Sequence, residues 1–182
     1  MAETTCPWQD GAYGLGTHTT KKCASVTIRL ATVDDVSEFR RLIVGLALYE
    51  KEPAETVEIS LDELRRDGFG AQPVFRCLLA EVDNVAIGFA LFHYCYSTWQ
   101  GKCMYLEDLY VEEAARGTGT GTLLLKTVAA IAHAEGCKRM SWQALDWNTP
   151  ALDFYKALGA NRRDSWVNLR LGEAELPALL GM

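Results

Sequence analysis

From residue 25 onward, the order of apolar and polar residues predicts a strand followed by two helices. SVTIRLA alternates with a period of two, as a half-buried strand does. Apolar residues from Val36 to Leu46 then recur at helical spacing, with Thr32 and Asp34 as N-cap candidates. A second, short helix is predicted over SLDELRRDGFG and ends at Gly68.

Three strands and a longer helix are predicted next. The strands are VFRCLLAEV, VAIGFALFHYCY and KCMYLEDLYV. Asp83 and Asn84 form a credible hairpin turn between the first two. After a glycine-rich loop, apolar residues from Leu124 to Ala132 line one side of a helix that Gly136 ends.

The last part of the chain is predicted to form a strand, a helix and a strand. They are KRMSWQAL, NTPALDFYKALGA and SWVNLRL, and Pro150 and Gly159 mark the first turn and the end of the helix. The whole order predicts one mixed α/β domain over residues 25–182, with antiparallel strands first and a parallel, right-handed strand–helix–strand unit after them. Residues 1–24 show no periodicity and are predicted to form a disordered tail.

Composition and charge narrow the classes of partner. The chain has 182 residues, a formal charge of -6 and 49% hydrophobic residues, as an ordinary globular domain does. An acidic surface argues against nucleic acid and anionic membranes as partners and is compatible with a cationic small molecule. No apolar run is long enough to span a membrane, and no signal-peptide order is present, so a cytoplasmic protein is expected.

The cysteines and histidines argue against a metal site. None of the six cysteines has CxxC spacing, and the three histidines are scattered along the chain. Three of the cysteines lie inside predicted strands, where a free thiol behaves as a small hydrophobic side chain. Neither a zinc site nor a secreted disulfide framework is therefore expected.

The loop from Arg116 to Gly121 is the strongest chemical signal. Glycines before a helix N-terminus let backbone N–H groups approach a diphosphate, and an arginine can add a charge-assisted hydrogen bond. A Walker loop requires a lysine that is missing here, and no register fits the dinucleotide pattern GxGxxG. What remains is Arg-x-x-Gly-x-Gly, for which a plain glycine-rich turn is the alternative.

Two adjacent acids, Glu107 and Asp108, lie in the strand before this loop. Neighbouring residues of a strand point to opposite faces of the sheet. The two carboxylates are therefore expected on opposite faces, because without a bulge they cannot form one dyad.

These segments together resemble a known family. ARGTGTG resembles the coenzyme A-binding segment of the GNAT superfamily of N-acetyltransferases. YSTWQGKCMYLEDLYV and ALDWNTPALDFYKALGA are similar to its diamine (spermidine/spermine, or polyamine) acetyltransferase subfamily, and YSTW and LDWN to the thialysine branch. The similarity runs from about Val26 to Leu171. It implies the GNAT acyl-CoA N-acyltransferase fold, acetyl-CoA as co-substrate, a small cationic amine as acceptor, and a homodimer.

The resemblance also implies roles for individual residues. Glu107 would act as general base through water, with a structural hydrogen bond as the alternative, while Asp108 would be structural or contact the substrate. Tyr155 would protonate the coenzyme thiolate, with a core tyrosine as the alternative. The implied coenzyme contacts are Leu109, Tyr110, Val111, Arg116, Gly117, Thr118, Gly119, Thr120, Gly121, Thr122, Asn148 and Tyr155. The implied amine contacts are Tyr49, Glu50, Glu107, Ser141, Trp142 and Gln143.

Two departures from the subfamily bear on the amine. NRRDSW is shorter and more basic than the matching family segment, and Ser97-Thr98-Trp99 lacks the acid that polyamine enzymes carry before the tryptophan. The first departure bears on the segment that shapes the substrate end and leaves the choice of substrate open. The second, the loss of an acid, favours a small amino-acid-like or short diamine substrate over a long polycation. A peptide acetyltransferase and a non-catalytic acetyl-CoA-binding module are the competing hypotheses.

Overall fold

The computed structural model describes residues 12–20 and 25–181. Contacts within the chain group it into two compact units, Met1–Gln143 and Ala144–Met182.

The first unit is built on a six-stranded sheet whose strands follow one another in chain order. The strands are β1 (Gly16–Thr19), β2 (Ser25–Leu30), β3 (Arg76–Val82), β4 (Val85–Ser97), β5 (Gly101–Val111) and β6 (Met140–Ser141). Neighbours are antiparallel from β1 to β5, and β5 and β6 are parallel. This confirms the predicted mixed sheet with antiparallel strands first and a parallel unit after them.

Three helices cover this sheet. They are α1 (Val36–Tyr49), α2 (Leu61–Phe69) and α3 (Thr120–Ala134). Ser60 caps α2 through a capping box with Glu63. Asp35 is the N-cap of α1 in place of Asp34, and Thr32 is the N-cap of the short 3-10 turn before it, Val33–Asp35.

The core on the α1 side of the sheet is apolar and aromatic. Phe39 and Leu42 of α1 are buried with Leu64 of α2 and with Leu79 and Phe89 of the sheet. The rings of Phe39 and Phe89 meet edge to face, with centroids 5.2 Å apart. This packing fixes the direction of α1, whose C-terminal end carries two of the predicted amine contacts.

Residues 12–20 differ from the predicted tail. They form a 3-10 turn, Ala12–Gly14, and the strand β1, in which Gly16 pairs with Ile28 and Thr19 with Ser25. The hydroxyl of Thr127 in α3 donates to the carbonyl of Gly14 at 3.4 Å. GTHT has no apolar face, so its pairing through the backbone leaves no periodic signal. Residues 1–11 and 21–24 of the predicted tail lie outside the described residues.

The second unit contains two helices, α4 (Thr149–Ala157) and α5 (Glu175–Leu179). The predicted helix with Pro150 in its first turn is confirmed, and the side chain of Asn148 accepts a hydrogen bond from Ala151 N at 3.3 Å as its cap. The final strand predicted over SWVNLRL is wrong, because residues 165–171 form no strand and Leu169 is 92% exposed. Alternation marks a segment that is able to pair, but pairing also needs a neighbouring strand.

Candidate active site

A bulge lies where β5 carries its two acids. The ladder between β4 and β5 pairs Leu91 with Asp108 and then Phe92 with Leu106, so Glu107 is an extra residue without a partner. An extra residue changes the alternation of side chains. Glu107 and Asp108 therefore lie on the same face, and the expectation of opposite faces is wrong. Alternation along the sequence gives no sign of an inserted residue, whereas pairing with β4 shows it directly.

The shared face is the one that α1 covers. Tyr110, two residues beyond Asp108, packs against Gly45 of α1 so closely that a Cβ there would lie 2.8 Å from the phenol oxygen. His93 lies on the same side, since its Nε2 is 3.5 Å from Glu107 Oε2. The bulge therefore turns both carboxylates towards the end of α1.

Burial and neighbouring charge change the acidity of this group of side chains. Desolvation, followed by the nearby carboxylates of Glu107 and Glu50, raises the pKa of Asp108 from 3.8 to about 7. The pKa of Glu50 is also raised, by burial and then by Glu52. At neutral pH the carboxyl of Asp108 is thus divided between its protonated and ionised forms.

The end of α1 meets the glycine loop through a stack of side chains. α1 ends at Tyr49, and the guanidinium carbon of Arg116 lies 4.3 Å from the centre of the Tyr49 ring. The same carbon is 5.7 Å from the ring of Tyr110, and Arg116 Nε donates to the carbonyl of Val111 at 2.9 Å. Arg116 therefore joins the predicted amine contacts to the predicted coenzyme contacts.

The loop presents open backbone before α3. Gly117 and Gly119 have φ of 72° and 102°, and a Cβ at either position would meet no atom within 4 Å. Positive φ and free space are what a cradle for a diphosphate requires. Gly121 and Thr122 are in the first turn of α3, where N–H groups have no intrahelical acceptor.

The two threonines of the loop point inward. Thr118 and Thr120 are buried, and their hydroxyl oxygens are 2.8 Å apart. Thr118 also donates to the carbonyl of Ala115 at 2.7 Å. Their hydroxyl groups thus stabilise the loop from within. Only the backbone of these two residues is left to contact a ligand.

One edge of β5 lies open beyond β6. The parallel ladder covers only Met104 and Tyr105 of β5, which pair with Met140 and Ser141. In the described part of the chain, Leu109, Tyr110 and Val111 pair with a strand on the β4 side alone. These three residues therefore have one edge without a strand partner among the described residues.

The remaining predicted contacts fall into two groups. Ser141, Trp142 and Gln143 are the last residues of the first unit, where Ser141 pairs with Tyr105. Asn148 and Tyr155 belong to the second unit, in which the rings of Phe154 and Tyr155 are 5.1 Å apart. The structure therefore brings together the carboxylates, the end of α1 and the glycine loop, and the roles of Asn148 and Tyr155 stay predictions.

Residues 12–20 and 25–181 contain no group of three His, Cys, Asp or Glu that could hold a metal ion. None of the helices within those ranges is long and apolar enough to cross a membrane.

Comparison with known proteins places this site in a family. The model of the acetyltransferase (GNAT) family matches residues 39–160, which is more than half of the chain. The chain belongs to the GNAT family of acetyltransferases and is an acetyl-transferring enzyme. The family uses acetyl-CoA as co-substrate, and the open backbone of the glycine loop fits that molecule.

Individual relatives narrow the resemblance. The chain is 42% identical to a thialysine N-epsilon-acetyltransferase of Sus scrofa, over 83% of this chain and 95% of the relative. It is 36% identical to the spermidine/spermine N(1)-acetyltransferase-like protein 1 of Homo sapiens, over 82% of this chain and 23% of that protein. Among solved structures, an integron cassette protein of V. cholerae has the same fold, with a TM-score of 0.73, 25% identity, and coverage of 86% and 98% of the two chains.

Proposed function

We propose that this enzyme transfers the acetyl group of acetyl-CoA to a primary amine of a small cationic molecule, either a lysine- or thialysine-like amino acid or a short diamine. The observation that carries the proposal is the electrostatic grouping of Glu50, Glu107 and Asp108 beside the strand that leads into the glycine loop. Such a group of acids complements a cation. The names of the thialysine acetyltransferase relatives support the same class of acceptor.

The coenzyme would be held mainly by backbone. Gly117 and Gly119 leave space for the diphosphate, and the first turn of α3 adds the N–H groups of Gly121 and Thr122. The open edge of β5 at Leu109, Tyr110 and Val111 would pair with the pantetheine arm, and Asn148 would add a contact. When bound, the coenzyme supplies the acetyl thioester.

Proton transfer is assigned to two side chains. An alkyl ammonium has a pKa of about 10.4, so a base must remove its proton before the nitrogen can attack. Glu107, whose side chain is 54% exposed, can reach the amine through water. Tyr155 would protonate the leaving thiolate, because a phenol with a pKa of about 10 can donate to a thiolate of about 8.5 with little penalty.

The amine end would be formed by Tyr49, Glu50, Ser141, Trp142 and Gln143. Glu50 follows α1 directly and is partly buried, which suits a carboxylate that holds a second, distal ammonium. Two positive charges on the substrate would then contact different carboxylates.

The protein is also proposed to be a cytoplasmic homodimer. Within β4, Phe89 and Phe92 are fully buried, whereas Tyr96 near its end is 77% exposed. Trp99 and Val167 are exposed as well, by 89% and 81%. Tyrosine and tryptophan are enriched in the core of protein interfaces, so Tyr96 and Trp99 are candidate contacts of the dimer.

A screen of acceptors tests the proposed function. Thialysine, lysine, putrescine, spermidine and a histone-tail peptide are each supplied with acetyl-CoA, and release of coenzyme A is measured. Turnover is expected with a small dibasic amine and not with the peptide. A preference for the peptide would establish the peptide acetyltransferase instead, and binding of acetyl-CoA with no turnover of any amine would establish a binding module.

A further inference from the structure

The bulge at Glu107 has a chemical result that concerns its neighbour Asp108. In a regular strand Asp108 would face away from Glu107, but the inserted residue puts both carboxylates on the α1 face. Two carboxylates that share a site do not ionise independently, since each charge opposes the other. A bulge beside a functional site often redirects a side chain in this way.

The surroundings of the two acids differ. The Glu107 side chain is 54% exposed and has the ring of His93 at 3.5 Å. Asp108 is desolvated. Its charge also acts on the thiol of Cys77, a fully buried residue of β3, which indicates that the Asp108 side chain lies towards the core between the sheet and α1. Glu107 is thus placed to meet water and substrate, and Asp108 is placed behind it.

Several ionisable groups face Asp108 from the elements packed against it. They are Glu107 and Tyr105 of β5, Glu50 at the end of α1, Cys77 of β3 and, next to Glu107, His93 of β4. Among the described residues, no ion pair joins Asp108 to a lysine, arginine or histidine side chain. Besides desolvation, the charges that act on Asp108 are the carboxylates of Glu107 and Glu50, and both favour a proton on it.

We propose that Glu107 and Asp108 act together as the base of this enzyme: the ionised pair takes one proton from the amine, which Glu107 receives and Asp108 then keeps. This inference rests on the proposed function. The substrate ammonium loses one proton to the pair, and the neutral nitrogen then forms its bond to the acetyl carbon while the carbon–sulfur bond breaks. After it has attacked, the nitrogen loses a second proton to become an amide. The leaving thiolate takes up one proton, so the reaction releases one proton in all. The pair returns its proton to solvent through the exposed side of Glu107 and His93.

The pair explains why an acid as weak as Asp108 is useful here. A base works best when its pKa lies close to the working pH. With a pKa of about 7, Asp108 can both accept a proton and release it during turnover at neutral pH. Because Asp108 acts through Glu107, it is a positioning residue and not one that touches the amine.

The test is the pH dependence of kcat/KM in the wild type, Asp108→Asn and Glu107→Gln, with Glu55→Gln, an exposed acid of another segment, as the control. Wild-type kcat/KM should fall as the pH drops below about 7. Asp108→Asn should lose this limb and, at pH 8, about 10²-fold in kcat/KM. Glu107→Gln should lose as much rate, and its limb should move to lower pH without vanishing, since Asp108 then lacks a negative neighbour.

The outcomes separate the inference from the proposed function. If Asp108→Asn keeps both the limb and the rate of an active wild type, the pair is overturned and the acetyltransferase stands. If the wild type releases no coenzyme A with any amine, the proposed function falls. Carbon-13 NMR titration of the Asp108 carboxyl in wild type and Glu107→Gln then still decides whether the acids share a proton. An unchanged pKa in Glu107→Gln would disprove the sharing, and circular dichroism shows that each variant folds.

Discussion

The guanidinium of Arg116 lies over the ring of Tyr49, with its central carbon 4.3 Å from the ring centre. Arg116 belongs to the glycine loop before α3, and Tyr49 is the last residue of α1. The contact therefore joins the part of the molecule assigned to the coenzyme with the part assigned to the amine. A cation on an aromatic face stabilises by about 1–2 kcal/mol when it is partly desolvated.

Loss of this contact should weaken the binding of both substrates. We expect Tyr49→Leu to raise KM for acetyl-CoA and for the amine by about tenfold each, which corresponds to about 1.4 kcal/mol. Tyr49→Phe keeps the ring and is the matched control, so it should stay near wild type for acetyl-CoA. Steady-state kinetics with each substrate varied in turn measures the effect. A change in KM for the amine alone in Tyr49→Leu would contradict a link between the two halves.

Gly119→Val should abolish coenzyme binding while the protein stays folded. Gly119 has φ of 102°, which a β-branched residue resists, and its Cα faces free space that the diphosphate would occupy. Gly136→Val is a matched control, because Gly136 also has positive φ and free space but follows the other end of α3. Calorimetric titration with coenzyme A should detect binding to the control only. Equal affinity in both variants would place the diphosphate elsewhere.

Tyr155→Phe should bind acetyl-CoA almost normally and turn over far more slowly. Phenylalanine keeps the ring next to Phe154 and removes only the hydroxyl, and a single general acid is worth about 10² to 10⁴ in rate. Stopped-flow or steady-state kcat together with calorimetric affinity measures the two effects separately. Wild-type turnover would remove Tyr155 from the mechanism.

Glu50→Gln should raise KM for a dibasic amine with little change in kcat. The substitution keeps the size of the side chain and removes its charge. A higher KM with an unchanged kcat is the sign that an interaction made equally in the ground state and the transition state has been lost. A monoamine of similar size, without a distal ammonium, should be a poor substrate for the wild type. Its KM should be the same for Glu50→Gln as for the wild type. If Glu50→Gln matches the wild type with every diamine and lysine analogue, Glu50 holds no ammonium.

Asp35 should stabilise the fold in a pH-dependent way. Its hydrogen bonds with Arg29, at 2.7 Å, lower the pKa of Asp35 from 3.8 to about 2. Because its pKa is lowered in the folded state, Asp35 adds about 2 kcal/mol to the free energy of unfolding above pH 4. This contribution is lost as the pH falls towards 2. Urea denaturation of Asp35→Asn at pH 7 should show a loss of that size, and Asp34→Asn, an exposed neighbour, should not. A loss that is equal at pH 7 and pH 2.5 would rule out ionisation as its cause.

The sequence predicts the elements whose signals are local. Pro150 and Gly159 bound a helix by their own backbone preferences, and Asp83 and Asn84, both with positive φ, form the two-residue turn expected between β3 and β4. The glycine loop is likewise predicted from its own residues, and α3 begins within it, with Gly119 as the N-cap.

Features that depend on a partner segment could not be predicted. The bulge at Glu107 exists only as a mismatch between β4 and β5, and neither strand shows it alone. The contact of Arg116 with Tyr49 joins residues 67 positions apart (116 minus 49), which periodicity does not relate. The last strand failed for the converse reason, since SWVNLRL has the pattern of a strand but forms no ladder.

The short strand β1 has a consequence for the outer edge of the sheet. Its four residues occupy hydrogen-bonding groups of β2 that would otherwise face solvent, and its own side chains are small or polar. An open edge strand is a template on which a strand of another molecule can add, and a brief polar strand is a poor one. A chain shortened to residue 25 would expose β2, with Val26 and Ile28, as such a template. By covering this edge, β1 reduces the exposure of β2 to edge-to-edge association with another molecule.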